Sequence, residues 1–167
     1  MGVLRRLFGG PAPKGTTADN AEERAYQERQ ALQKLVDRID KASARLPREA
    51  YASFSRIKVV LRACLDRAPQ LAASQDNLHV VSRTIRDYLP TALETYLDLP
   101  RQYAEQVDVQ GRGTPAQQLV DQLHLLEERL EQVKQALYVG DANALANHGR
   151  FLEEKFHASG LEPPDRI

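Results

Sequence analysis

Apolar side chains along this chain recur at alternating steps of three and four residues, the signature of helices that each bury one face. Leu32, Leu35, Ile39, Ala42 and Leu46 predict a first helix from about Asp19 to Leu46, opened by Asp19 and Glu22 as a capping box and stopped by Pro47. Ala50, Phe54, Ile57, Leu61, Cys64 and Leu65 predict a second from about Arg48 to Ala68, closed by Pro69. Leu78, Val81, Ile85, Tyr88, Leu89, Ala92, Leu93 and Tyr96 form one stripe from about Ser74 to Leu99. That stripe keeps its phase across Pro90, which predicts one kinked helix rather than two. Residues 101–114 add a turn of helix around Tyr103 and then a loop tipped by Gly111-Arg112-Gly113.

Thr114-Pro115 is a strong helix start, an N-cap followed by a first-turn proline. The cleanest heptad follows it: Leu119, Leu123, Leu126, Leu130, Val133 and Leu137. Gly140 is expected to end this helix, and Asp141 to cap a last one with Leu145, His148, Leu152 and Phe156 on its apolar face. Gly149 within that last helix costs about 1 kcal/mol against alanine; a close crossing by another helix would account for it, and a break there is the alternative. The expectation is an all-α, antiparallel bundle of four to five helices with coiled-coil-like packing and a Pro-kinked third helix. Residues 1–18 form an N-terminal segment, 19–160 the single bundle domain and 161–167 a C-terminal tail.

Composition narrows the class. The 167 residues are 42% apolar and 28% charged, with 23 basic and 23 acidic side chains, so disorder throughout is excluded. One cysteine, Cys64, excludes an intramolecular disulfide and a multi-cysteine zinc site, and fits a reducing, cytoplasmic setting. No apolar run approaches the roughly 20 residues of a membrane span. Residues 1–10 are different: Val3, Leu4, Leu7 and Phe8 with Arg5 and Arg6 make a short amphipathic tag before Gly9-Gly10-Pro11. Such a tag can touch the inner face of an anionic membrane, although eight residues anchor stably only when oligomerisation multiplies the contact. It fits neither a secretory signal nor a myristoylation signal.

Candidate chemistry is sparse. Glu154 and His157 have the Glu-x-x-His spacing of di-iron bundles, but the second such motif is missing and His124…Glu127 runs in reverse order. Cys64 falls on an apolar face, and Ser53, Ser55 and Ser82 lack a nucleophile context. Gly111-Arg112-Gly113 is too short for a phosphate loop. Arg48, Arg56, Lys58, Arg62 and Arg67 give the second helix a basic side that could touch nucleic acid or anionic lipid, and that acidic neighbouring helices explain as well; a neutral chain without the motif of a known reader argues against nucleic acid as the partner. Neither a cofactor nor a metal is implied.

Thr84-Ile85-Arg86-Asp87-Tyr88-Leu89-Pro90-Thr91-Ala92-Leu93 resembles the Tyr-Leu-Pro-Thr helix of the XpaC family. The heptad from Gln117 to Leu137 and the run Phe151-Leu152-Glu153-Glu154-Lys155-Phe156 sit where that family has its closing helices, so the likeness spans about residues 83–157. The family carries the label "5-bromo-4-chloroindolyl phosphate hydrolysis protein" and is associated with TelA-type toxic-anion (tellurite) resistance. The resemblance therefore implies a phosphoester hydrolase or a role in toxic-anion or envelope stress. The residues favour a non-enzymatic interaction or adaptor protein. Its expected partner is another protein or itself, and its expected seam is Leu119, Leu123, Leu126, Leu130, Val133 and Leu137.

Overall fold

The computed structural model describes residues 17–158. Helix α1 is Thr17–Lys41, followed by a 3-10 turn at Ser43–Arg45. Helices α2 (Arg48–Leu65), α3 (Ala68–Ala72) and α4 (Gln75–Arg83) lead into a π-turn at Thr84–Tyr88 and then α5 (Leu89–Leu97). Helix α6 (Arg101–Gln106) and a loop precede α7 (Pro115–Ala158). No strand occurs among the described residues, so the all-α class holds.

The predicted starts correspond to real caps. Ser74 accepts the Asn77 amide at 3.2 Å at the head of α4. Before α7, Thr114 Oγ1 accepts the Gln117 amide at 3.3 Å while Gln117 Oε1 accepts the Thr114 amide at 3.0 Å, a reciprocal capping box. The first helix ends earlier than expected, at Lys41, with residues 43–45 tightened into the 3-10 turn. Asp19 lies in the first turn of α1 rather than at its cap, where a carboxylate still favours the positive helix end.

Pro69 does not only close the second helix. It is a first-turn residue of α3, whose Ala68 and Leu71 are buried against the bundle. Helix α3 packs on α1, so the chain crosses over α1 between α2 and α4 instead of turning straight back.

This crossing sets the arrangement. Helix α1 is antiparallel to α2, as Tyr51–Asp40 and Arg62–Gln33 show, and α5 is antiparallel to α7, with Tyr96 near Leu119. The most extensive pairing is nevertheless parallel. Glu49 meets His124, Arg56 meets Glu127 and Arg67 meets Asp141, so α2 and α7 ascend together. Likewise Glu28 meets Ser82 and Arg38 meets Glu94, so α1 runs parallel to α4–α5. Helices joined in sequence therefore run antiparallel, while α3 and the 107–114 loop place parallel pairs side by side, so the bundle is not antiparallel throughout. Phe54, Ile57, Leu61 and Leu65 of α2, Leu32 and Ile39 of α1, Ile85 and Leu89 near the π-turn, and Leu123 of α7 fill the interior.

Helix α7 is the largest departure. It runs 44 residues, about 66 Å, without stopping at Gly140. A helix that has already been nucleated and packed propagates through one exposed glycine at a cost of about 1 kcal/mol. The expected fifth helix is therefore the outer end of α7.

Candidate functional site

The π-turn coincides with the Thr84–Tyr88 half of the segment that resembles the XpaC family. Pro90 has no amide hydrogen, and its ring crowds the carbonyl of residue 86. The wider turn just before it absorbs that misfit, and its extra residue turns Tyr88 of the expected stripe outward while Ile85, Leu89 and Leu93 stay buried. The stretch from Gln75 to Leu97 is thus one continuous run of helical backbone, as expected rather than two helices, with a π-turn before Pro90. Thr84 is buried and donates its hydroxyl to the Val80 carbonyl at 2.7 Å.

Opposite this turn lies Glu28, a buried carboxylate on α1. Its Oε1 accepts from Ser82 at 3.1 Å and from Arg86 Nε at 3.0 Å, and its Oε2 has no hydrogen-bond partner. Sequence reasoning missed Glu28. The signal existed: carrying the 4-3 stripe back from Leu32 reaches 28, 25 and 21, and Ala25 and Ala21 are buried with it. An open groove beside this cluster is lined by Gln30, Lys34 and Arg38 of α1 and by Arg86, Pro90 and Glu94. Two of its cations are paired, Arg38 with Glu94 at 2.6 Å and Arg86 with Glu28, so they hold helices together rather than converging on a ligand.

A second polar ladder fixes the α2–α7 register. Glu127 accepts from Ser53 Oγ at 2.9 Å and from Arg56 Nε at 2.7 Å. Burial alone would raise the Glu127 pKa, but the hydrogen bonds from Arg56 and Ser53 outweigh it and hold the carboxyl below its ordinary range. Glu49 is also lowered, by its hydrogen bonds to His124 and Arg56. Arg62 donates to Gln33, and Arg67 is bound by Asp141 and lies 4.8 Å from the Tyr138 ring centre. Three cations of the basic side thus serve contacts within the bundle.

The remaining candidates are resolved one by one. Cys64 is fully buried, and burial pushes its thiol up to about 11. The loop before α7 uses its amides internally: Gly113 donates to Asp108 and Thr114 to Gln117. Gly113 sits at φ +89°, and a Cβ there would come within 2.5 Å of the capping Gln117 Oε1, so glycine is required by both the turn and the cap. Among the described residues, no group of three or more His, Cys, Asp or Glu side chains stands close enough to share a metal ion. None of the described helices is long and apolar enough to cross a membrane. Val3, Leu4, Arg5, Arg6, Leu7 and Phe8 lie outside the described residues.

The expected interaction seam is corrected. Leu119, Leu123, Leu130, Val133 and Leu137 are buried inside the chain, and Leu126 is half-buried against the same core. Heptads serve internal and external pairing alike, and here α2 and α5 already occupy this face. Further along α7, large apolar side chains are exposed. Beyond Asp141, α7 extends about 25 Å past its last contact with Arg67. Its side chains there are exposed, including Leu145 (73%), Phe151 (54%) and Leu152 (36%). The Leu145–Leu152 face expected to pack inward therefore faces out, and Gly149 has nothing within 4 Å of its would-be Cβ. We call residues 138–158 the arm.

Compared with protein-family models, curated proteins and solved structures, the chain matches none.

Proposed function

We propose that this protein is a non-enzymatic interaction module whose arm engages a helical partner, while the helical bundle serves as its base. The observation that carries the reading is the exposure of Leu145, Phe151 and Leu152 on a continuous helix that has left its own core. Leaving large apolar side chains in water forgoes about 1.5–3 kcal/mol for each one a partner would bury. A helix of this form lays its apolar face into a groove or against another helix, read at i, i+3, i+4 and i+7. The polar clusters support the same reading, because Glu28, Glu127 and Asp141 all join one helix to another. The likeness of residues 84–93 to the XpaC family supports a setting in a toxic-anion or envelope stress response.

A photo-crosslinking residue placed at Leu152 in the full chain tests this in living cells. The expected result is a discrete covalent adduct from position 152 and none from Arg48, at the far end of the bundle. Absence of any adduct from arm positions would overturn the reading, as would turnover of a phosphoester that a single carboxylate substitution abolishes.

A further inference from the structure

The groove between α5 and α7 carries exposed apolar side chains that the core does not account for. Tyr88 and Leu125, both exposed, form one end of it with Leu126, and Tyr96, Leu99, Leu119 and Tyr103 form the other. The two compartments measure about 330 and 380 Å³ and share Thr91, Ala92 and Gln122, which make the waist between them. We infer that this trough binds one uncharged, elongated small molecule, with an apolar body that includes a flat ring and a carbonyl or similar hydrogen-bond acceptor at the waist. The trough lies apart from the arm, so the inference goes beyond the interaction reading and does not depend on it.

Three observations select that occupant. The first is charge. Asp87 is the sole ionised side chain lining the trough, and both its oxygens are engaged: Oδ2 pairs with Arg83 at 2.6 Å and Oδ1 accepts from Thr91 at 3.1 Å. A charged ligand would give up its hydration here without a counter-ion, whereas an apolar one gains by leaving water. The second is the backbone. A regular helix would carry Tyr88 on the inward stripe, but the extra residue of the π-turn sets it on the wall of the trough. Arg83 stands 5.5 Å from its ring centre and holds the ring from one face, while the ring still lines the trough. Single π-turns inside helices are frequent at functional sites. The third is size and lining. Ligand sites are concave and mostly apolar, span about 300–1,000 Å³, and use a few polar groups to fix orientation. The two compartments together fall within that range. Gln122 supplies the polar group at the waist, and its amide bonds to no other described group.

The probe is Nile red, a neutral, flat dye with a carbonyl, titrated into the full chain by fluorescence. Saturable binding of one dye per chain is expected. Gln122→Trp fills the waist from an exposed position, so it should weaken binding about tenfold or more with the melting temperature unchanged. Leu125→Ala removes an exposed part of the wall and should weaken binding about threefold. Leu152→Ala on the arm should leave binding as it is. Absence of saturable binding would overturn the inference. So would binding that follows Leu152→Ala, or that ignores both trough variants. Tighter dye binding in Phe8→Asp would mean that residues 1–10 fill the trough, and a mass above 18.8 kDa that Gln122→Trp restores would give it to a second copy; either result sinks the small-molecule assignment. The crosslink from position 152 is a separate measurement, so failure here leaves the interaction reading standing.

Discussion

Glu28 illustrates how a single residue can be costly and specific at once. Only 8% of it is exposed, it has one unpaired oxygen, and its charge is matched by the half-exposed Arg86. A buried charge depends strongly on its partner, whereas the pair as a whole adds little over a hydrophobic replacement. Arg86→Ala is therefore expected to destabilise the fold by about 2 kcal/mol, reduced from the fully buried case because Arg86 meets solvent. Glu28→Leu is expected to be neutral or stabilising. Urea denaturation of the two variants gives the comparison, and equal losses would mean that the carboxylate contributes net stability. Glu127 makes a pH prediction. Its folded pKa lies below the ordinary 4.5, so the unfolded chain takes up protons first as the solution is acidified. Its contribution is complete above about pH 4.5 and fades as pH falls through the folded value. In Glu127→Gln the stability lost between neutral pH and the acid range should be smaller than in the wild type, as measured by thermal unfolding across pH.

Among the elements, α7 is the most instructive, because two glycines within it leave room for a Cβ among the described residues. At Gly140 and Gly149 an added Cβ meets nothing within 4 Å, so alanine there changes only backbone freedom and helix propensity. Gly140→Ala, which lies off the arm's stripe, is expected to stabilise the arm by up to about 1 kcal/mol. Slower amide exchange over residues 141–158 is the readout, with exchange in α2 unchanged. The π-turn shows the limit of pattern reading. The unbroken stripe from Leu78 to Tyr96 marks one continuous helix through Pro90, but the extra residue in the turn leaves no mark in a one-dimensional pattern. Pro69 shows the same limit. A proline ends one helix or begins the next with equal ease, and only the burial of Ala68 and Leu71 shows that α3 exists.

At the scale of the whole molecule, the structure divides into a bundle and the arm, whose first turn, to Asp141, still touches the bundle through Arg67. The last contact between α7 and the rest of the chain named above is Asp141 with Arg67. A chain ending at Asp141 should then keep the unfolding free energy of the bundle within about 1 kcal/mol. A large loss of stability on truncation would show that the arm packs on the bundle in solution. Parallel packing of α2 on α7 matters here, because it sends both helices toward the same end. Helix α2 stops at Leu65, capped by Arg29 Nη2 on the Leu65 carbonyl at 2.7 Å, and α7 runs on to Ala158.

Local pattern was enough for the all-α class, the positions of four of the helix starts or caps, the burial of Cys64 and the apolar content of each stripe. These follow from spacing, proline and side-chain capping, all properties of a few neighbouring residues. Which stripe became core and which stayed open was decided by tertiary structure. Leu119–Leu137 and Leu145–Leu152 read alike in one dimension, and only the length of α2 and the crossing of α3 set where the core ends. The same is true of Glu28, whose buried place depends on an arginine 58 residues away. Burial is a property of what arrives from elsewhere in the chain.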